Sequence, residues 1–299
     1  MKDKIKEYRG IEMKKENLSK LLLLLVAMIW GSGFPATKII LDSGIKPFEF
    51  LGIRFFITAL VMLCIMRMKK IKIEKAERNL GMLAGVILFL AFAFQTVGLV
   101  YTTASKNAFI TGANVIFVPY IAWVITKEKP KLIYIISSII CFIGIGFLSF
   151  EENLTINFGD FLTFICAICF ALQIVVIGSR IKNKNPFTIN GFQMFSAGII
   201  GILLNIICEG ATIFSRTYDL KQILALVYII LFNTFVCYSI QTYAQKEINP
   251  SQVSLILTTE IIFGAVFSVL LLGDKMTFQV IIGGLLIFAS ILLTEVKKR

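Results

Sequence analysis

Ten apolar stretches divide the chain, and short polar segments separate them. Each stretch is long enough to cross a bilayer as a helix, which takes about 20 largely apolar residues. The connections are short, so successive helices are antiparallel neighbours. The pattern predicts an all-α membrane protein of ten transmembrane helices, called spans 1 to 10, at residues 20–41, 48–67, 80–100, 105–126, 132–150, 160–179, 187–207, 223–244, 252–272 and 277–295.

The basic residues are concentrated on one side of this predicted bundle. Lysine and arginine favour cytoplasmic loops. With the spans alternating in direction, 23 of the 30 basic residues fall on the side that carries both chain termini. We therefore expect an integral protein of the bacterial cytoplasmic membrane, with the N-terminus and the C-terminus both cytoplasmic. Residues 1–19 form its basic cytoplasmic N-terminal segment.

The two halves of the chain resemble each other. A shift of 146 residues aligns Phe92–Lys129 with Tyr238–Lys275 without a gap, and places Gln95-Thr96 on Gln241-Thr242. Each half holds five spans, an odd number, so equivalent spans run in opposite directions through the membrane. The chain is thus predicted to contain two inverted five-helix repeats, at 20–150 and 151–299, a common construction of secondary transporters.

Composition excludes several other classes of protein. The chain is 57% hydrophobic and 16% charged, against about 45–50% and about 25% for soluble domains. Its net charge of +12 lies in loops rather than on one face, which argues against nucleic-acid binding. Histidine is absent, so the Cys166–Cys169 pair lacks further zinc ligands and histidine-dependent hydrolysis is excluded. We expect no metal, no cofactor and no enzymatic activity.

Several short motifs, taken in order, resemble a known family. The run Trp30–Pro35 in span 1 looks like the W-G-S-x-F signature of the EamA-type transporters of the drug/metabolite transporter superfamily, and Arg54-Phe55 resembles that family's R-F pair. Thr102–Thr111 is similar to the start of its fourth span, and the segment from Glu260 to Lys275 to its ninth. The resemblance implies ten helices in two EamA repeats, and efflux or uptake of amino acids, related metabolites or toxic compounds.

The chain departs from the family pattern at one position. Many members place a proline directly after the acidic residue of span 9, whereas Ile261 follows Glu260 in this sequence. This departure removes the usual sequence signal for a local break in that helix.

Glu260 is the main candidate for chemistry, because it lies near the middle of span 9. A charge at this depth is costly unless it faces a cavity or finds a partner. Glu260 could bind a proton for coupling, or balance the amine of a substrate; alternatively it forms a structural ion pair with Arg54 or Lys106. Asn114 is its equivalent in span 4, and could bind substrate or join two helices.

Three basic residues lie inside predicted spans: Lys38, Arg54 and Lys106. Arg54 could clamp a substrate carboxylate through its fork of donors, or tie spans together. Lys38 and Lys106 are nearer the helix ends, where they can reach the interface, which is the favoured interpretation for both. If all three face the cavity, its outer half is basic and favours a carboxylate or phosphate.

Three further side chains complete the predicted substrate site. Gln95 and Gln241 lie about one turn inside the membrane, at opposite faces, as the inversion of the repeats requires. They could line the outer and inner gates, or they could form hydrogen bonds between helices. Trp30 is expected to form a cavity wall.

Taken together, the sequence predicts a secondary-active exporter of a small metabolite such as an amino acid, working by alternating access with protons coupled through Glu260. No P-loop for ATP is present. The alternatives are a passive channel or facilitator and a membrane-embedded enzyme. The expected partners are the substrate, protons and membrane lipid, with no nucleic acid and no obligate protein partner.

Overall fold

A computed structural model describes residues 2–148, 157–272 and 278–296. In this part of the chain, span 1 comprises Lys2–Gly31 and Gly33–Asp42, span 2 Pro47–Met68, span 3 Lys75–Tyr101, span 4 Ala104–Gly112 and Asn114–Thr126, and span 5 Leu132–Leu148. Span 6 is Phe158–Gly178, span 7 Pro186–Glu209, span 8 Leu220–Ala244, span 9 Pro250–Leu257 and Glu260–Leu272, and span 10 Phe278–Val296. A short helix, Thr212–Ser215, lies between spans 7 and 8.

The predicted architecture of ten transmembrane helices in two inverted repeats is confirmed. Eight of the described helical segments are long and apolar enough to cross a membrane, and the apolar segments Leu132–Phe147 and Ile281–Thr294 complete the ten. The start of the first helix differs from the predicted start of span 1: the helix begins at Lys2 rather than near residue 20. The predicted boundary between the repeats, at 150 and 151, and the loop cation Lys275 lie outside the described residues.

The packing of the spans follows a pseudo-two-fold relation between the repeats. Span 2 packs along its equivalent, span 7, and span 5 along span 10. Span 3 contacts span 6 as span 8 contacts span 1, and span 4 contacts span 6 as span 9 contacts span 1. Glycines allow the closest approach: a Cβ added to Gly201 would lie 2.8 Å from the Cα of Gly52. In lipid, small residues of this kind let helices pack tightly.

Two of the spans are interrupted at equivalent positions. Span 4 restarts as a helix at Asn114 and span 9 at Glu260. At each interruption a backbone N–H bonds three residues back instead of four, from Ala113 to the carbonyl of Ile110 and from Thr259 to that of Ile256. Span 9 is therefore broken without the proline that usually signals it. The side chains of the two residues before Glu260, Thr258 and Thr259, also bond to backbone carbonyls within the helix.

Span 8 carries a feature that its equivalent lacks. Ile229–Val236 forms a π-helix in the middle of this span, whereas span 3 is a continuous α-helix. π-Helical turns are rare and occur frequently at functional sites.

At the starts of spans 2 and 7, backbone N–H groups donate to an acidic side chain of the other repeat. The carboxylate of Glu209 accepts from the backbone N–H groups of Phe48 and Glu49, at 2.9 and 2.8 Å. On the other face of the bundle, the Glu77 carboxylate accepts from the N–H of Asn185 at 2.7 Å. Both arrangements place a negative charge at the positive end of a helix dipole.

Glu49 itself is completely buried and needs its own partners. Arg216 pairs with its carboxylate at 2.7 Å, and the Tyr218 hydroxyl donates to it at 2.6 Å. Burial, and then the adjacent Glu49 carboxylate, raise the pKa of Tyr218, so its hydroxyl stays a donor. The loop between spans 7 and 8 is thereby held against the start of span 2.

Candidate substrate site

A central cavity of about 770 Å³, open mouth included, lies between the two repeats. Its lining residues come from spans 1, 2, 3, 4, 6, 8 and 9 of the described chain. The lining contains six of the eight residues singled out from the sequence: Trp30, Arg54, Gln95, Asn114, Gln241 and Glu260.

Four aromatic rings form the middle of the cavity wall. Phe92 contacts Phe170 edge-on at a centroid distance of 5.1 Å and Tyr238 at 6.2 Å, and Trp30 contacts Tyr238 at 5.1 Å. Phe92 and Tyr238 are equivalent positions under the 146-residue shift. Trp30 is fixed by a bond from its indole N–H to the backbone carbonyl of Asn233, at 2.8 Å. The rings therefore form a rigid apolar wall contributed by both repeats.

Arg54 is almost fully buried, yet its terminal nitrogens are available to the cavity. Its Nε donates to the Thr234 hydroxyl at 2.6 Å, and its guanidinium carbon lies 4.4 Å from the ring centre of Phe92. The rings of Phe50 and Phe55 lie within 5.8 Å. Among the described residues neither Nη has a hydrogen-bond partner, and neither is sealed from the cavity. Arg54 thus presents two donor nitrogens, Nη1 and Nη2, to a bound molecule.

Glu260 borders the same cavity and is not paired with Arg54. Within the described residues no cation lies within 4 Å of its carboxylate, and neither carboxylate oxygen is sealed from the cavity. The alternative of an ion pair with Arg54 is therefore not observed. Glu260 is placed by a close backbone contact, since a Cβ added to Gly31 would lie 2.8 Å from the Glu260 carbonyl oxygen.

A polar strip lines the wall formed by spans 3 and 4. The Gln95 side-chain amide donates to the Thr111 hydroxyl at 3.1 Å. The Asn107 side-chain amide donates to the backbone carbonyl of Gln95 at 3.0 Å. Asn114 donates to the Thr111 carbonyl at 3.0 Å. The helix-to-helix bonding expected of Gln95 is therefore present, while its side-chain oxygen and that of Asn114 remain open to the cavity.

The cavity is closed towards the face of the bundle where the chain begins and ends, the terminal face. Its lining residues nearest that face, including Gln173, Gln241 and Leu257, are all buried. Gln173 donates to Gln193 at 3.1 Å, but the side-chain oxygens of Gln173 and Gln241 have no hydrogen-bond partner within the described chain. Towards the opposite face Phe34 and Thr37 are partly exposed. The partly exposed Phe34 and Thr37 mark the opposite face as the candidate mouth of the cavity.

The other two predicted residues, Lys38 and Lys106, do not line the cavity. Lys38 pairs with Asp42 one turn away at 3.3 Å; Asp42 is exposed and Lys38 is partly exposed. Lys106 lies in the first turn of span 4, outside the lining. The condition for a basic outer half, that all three cations face the cavity, is not met in the described residues, because Arg54 alone of the three lines it.

Sequence reasoning missed several lining residues, among them Phe92, Phe170, Gln173, Asn107 and Tyr238. The internal repeat contained a signal for one pair, since Phe92 and Tyr238 begin the aligned segments. Gln173 and Asn107 carried no such signal. Among the described residues no cluster of acidic or cysteine side chains could hold a metal ion.

A polytopic bundle with a polar, one-sided cavity between two inverted repeats is the architecture of a membrane transporter. Comparison with known proteins agrees. The model of the EamA-like transporter family matches residues 17–150 and again 157–296. The chain belongs to this family of membrane transporters.

The relatives extend over almost the whole chain. An uncharacterized transporter of Archaeoglobus fulgidus is 32% identical over 295 residues, which cover 98% of this chain and 91% of that protein. The uncharacterized inner membrane transporter YicL of Salmonella typhimurium is 24% identical, over 93% of this chain and 95% of its own. A solved crystal structure superposes with a TM-score of 0.76 at 12% identity, covering 95% and 97%, which shows a shared fold.

Proposed function

We propose that this protein is a secondary-active exporter of a small metabolite that carries both a carboxylate and an amine, such as an amino acid. The observation that carries the proposal is the presence in one cavity of two ionisable side chains of opposite sign, Arg54 and Glu260, neither of which has an ionic partner among the described residues. A charge facing an apolar interior is costly without a partner. A substrate that brings the complementary charges supplies both partners at once.

The chemistry of the lining agrees with a substrate of this kind. The free Nη donors of Arg54 match the two oxygens of a carboxylate. The Glu260 carboxylate can accept from an ammonium group, and the rings of Trp30, Phe92 and Tyr238 can contact an apolar side chain. The open oxygens of Gln95 and Asn114 offer further hydrogen bonds.

The shape of the cavity supports alternating access. A passive channel, the second candidate, needs a continuous path, whereas here Gln173, Gln241 and Leu257 are packed closed beneath the site. In this proposal the two repeats, 20–150 and 151–299, move relative to each other and expose the site to each face in turn.

In this proposal a proton gradient supplies the energy for transport. Glu260 couples transport to protons, because the same carboxylate can hold a proton when no amine is present. The N-terminus, with its basic segment 1–19, and the C-terminus lie in the bacterial cytoplasm, so the open mouth faces outward. The transporter needs no obligate protein partner and binds no nucleic acid.

Counterflow into proteoliposomes tests the core of the proposal. Purified protein is reconstituted into vesicles loaded with each of the twenty standard amino acids, and uptake of the same labelled amino acid is measured. We expect exchange-stimulated, saturable uptake of at least one of them. Uptake that rises linearly and ignores the internal amino acid would indicate a channel, and no uptake of any would reject an amino-acid substrate.

A further inference from the structure

The side chain of Thr234 contacts Arg54, the one buried cation of the cavity wall among the described residues. Its hydroxyl oxygen accepts from Arg54 Nε at 2.6 Å, and its hydroxyl proton goes to the backbone carbonyl of Ile229 at 2.8 Å. The Ile229 bond spans five residues, a reach that follows the π-helical turn. With its own proton committed, the Thr234 oxygen has a lone pair fixed in the direction of Arg54.

The segment that carries Thr234 is anchored on its other side to span 1. Asn233, the preceding residue, donates through its side chain to the Ile29 carbonyl at 3.1 Å, and its backbone carbonyl accepts from Trp30 at 2.8 Å. A Cβ added to Gly33 would lie 2.9 Å from the Asn233 side chain, so that side chain packs closely against span 1. The π-helix is therefore held firmly where it meets Arg54.

The bond to Thr234 determines what Arg54 can offer a substrate. A free guanidinium has five N–H donors and several ways to turn. Here Nε is occupied, and the rings of Phe92 and Phe55, at 4.4 and 5.4 Å, restrict the plane of the group. What remains towards the cavity is the pair of terminal nitrogens, in the geometry that binds a carboxylate with two parallel bonds.

We infer that Thr234 is a positioning residue that sets the selectivity of this transporter for substrates with a carboxylate over amines without one. The inference rests on the proposed amino-acid function, and adds the source of its specificity. Thr234 contacts Arg54 rather than the substrate. It acts by fixing the orientation of the guanidinium group, so that both terminal nitrogens face the cavity. Preorganisation of this kind lowers the ordering cost of binding.

The test compares two molecules that differ by the carboxylate alone. The amino acid that the unaltered protein transports fastest among the twenty is paired with the amine that its decarboxylation gives. For Thr234→Val, which keeps the shape and removes the acceptor, we expect kcat/KM for the amino acid to fall by about tenfold relative to the amine, the loss of one charge-assisted hydrogen bond. Thr234→Ser should restore most of the selectivity.

Thr58→Val is the matched control. Thr58 is equally buried and its hydroxyl donates to the backbone carbonyl of Arg54 at 2.8 Å, so it touches the same residue but not its side chain. We expect its amino-acid-to-amine ratio to stay unchanged. An unchanged ratio in Thr234→Val, or an equal change in Thr58→Val, would overturn the inference while leaving the transport function intact. Absence of any amino-acid transport by the unaltered protein would overturn both.

Discussion

Asn114 and Glu260 occupy equivalent positions, 146 residues apart, and each begins the second half of a broken span that borders the same cavity. The pseudo-two-fold relation brings an amide from one repeat and a carboxylate from the other into one site. The site is therefore chemically asymmetric although the fold around it is symmetric.

Glu260→Gln tests the role of this carboxylate in coupling. The amide keeps the size of the side chain and one acceptor oxygen, but it carries no charge and cannot exchange a proton. We expect accumulation driven by an imposed pH gradient to be abolished in proteoliposomes, while exchange of internal for external substrate persists with a raised KM, because the ammonium group loses its ionic partner. Asp42→Asn, a change at an exposed acid, is the control. Undiminished gradient-driven accumulation in Glu260→Gln would rule out the coupling role.

Arg54→Lys tests carboxylate binding by the guanidinium fork. Lysine preserves the charge and loses the pair of parallel donors, so we expect KM for the transported amino acid to rise by about tenfold or more. Lys38→Gln removes a cation that lies outside the cavity, and its effect should stay below about twofold, as for an exposed ion pair. The reverse ranking of the two variants would contradict the assignment of Arg54 to the site.

Gly31→Ala tests the contact that places Glu260. The added Cβ would lie 2.8 Å from both the Glu260 carbonyl oxygen and the Gly264 amide nitrogen, and backbone atoms cannot swing aside. We expect a loss of about 1–3 kcal/mol in stability, measured by thermal unfolding in detergent, together with reduced transport. The control is Gly146→Ala, where nothing lies within 4 Å of an added Cβ. Equal stability of the two variants would show that span 1 can move away from span 9.

Thiol labelling tests which end of the cavity is open. In a background with the six native cysteines replaced, a cysteine at Thr37 lies towards the mouth and one at Gln241 lies at the closed end. We expect a membrane-impermeant maleimide added outside intact cells to modify Thr37→Cys rapidly and to leave Gln241→Cys unmodified. Rapid labelling of both would indicate a continuous pore, and labelling of neither would place the mouth on the cytoplasmic side.

Much of this protein could be predicted from sequence because lipid imposes a simple rule. Every apolar stretch of bilayer length becomes a span, and an odd number of spans per repeat forces the halves to be inverted. Depth along a span can also be read from the sequence, and it identifies Glu260, Asn114 and Arg54 as candidates for the site.

Depth along one helix does not say which way a side chain faces, and that was decided only by packing. Lys38 and Arg54 both lie several residues from the same face of the bundle, yet Lys38 pairs with Asp42 outside while Arg54 is enclosed by phenylalanines and held by Thr234. No proline in the sequence predicts the break before Glu260 or the π-helix in span 8. Both depend on hydrogen bonds and contacts between residues that the chain brings together only when the ten spans have packed.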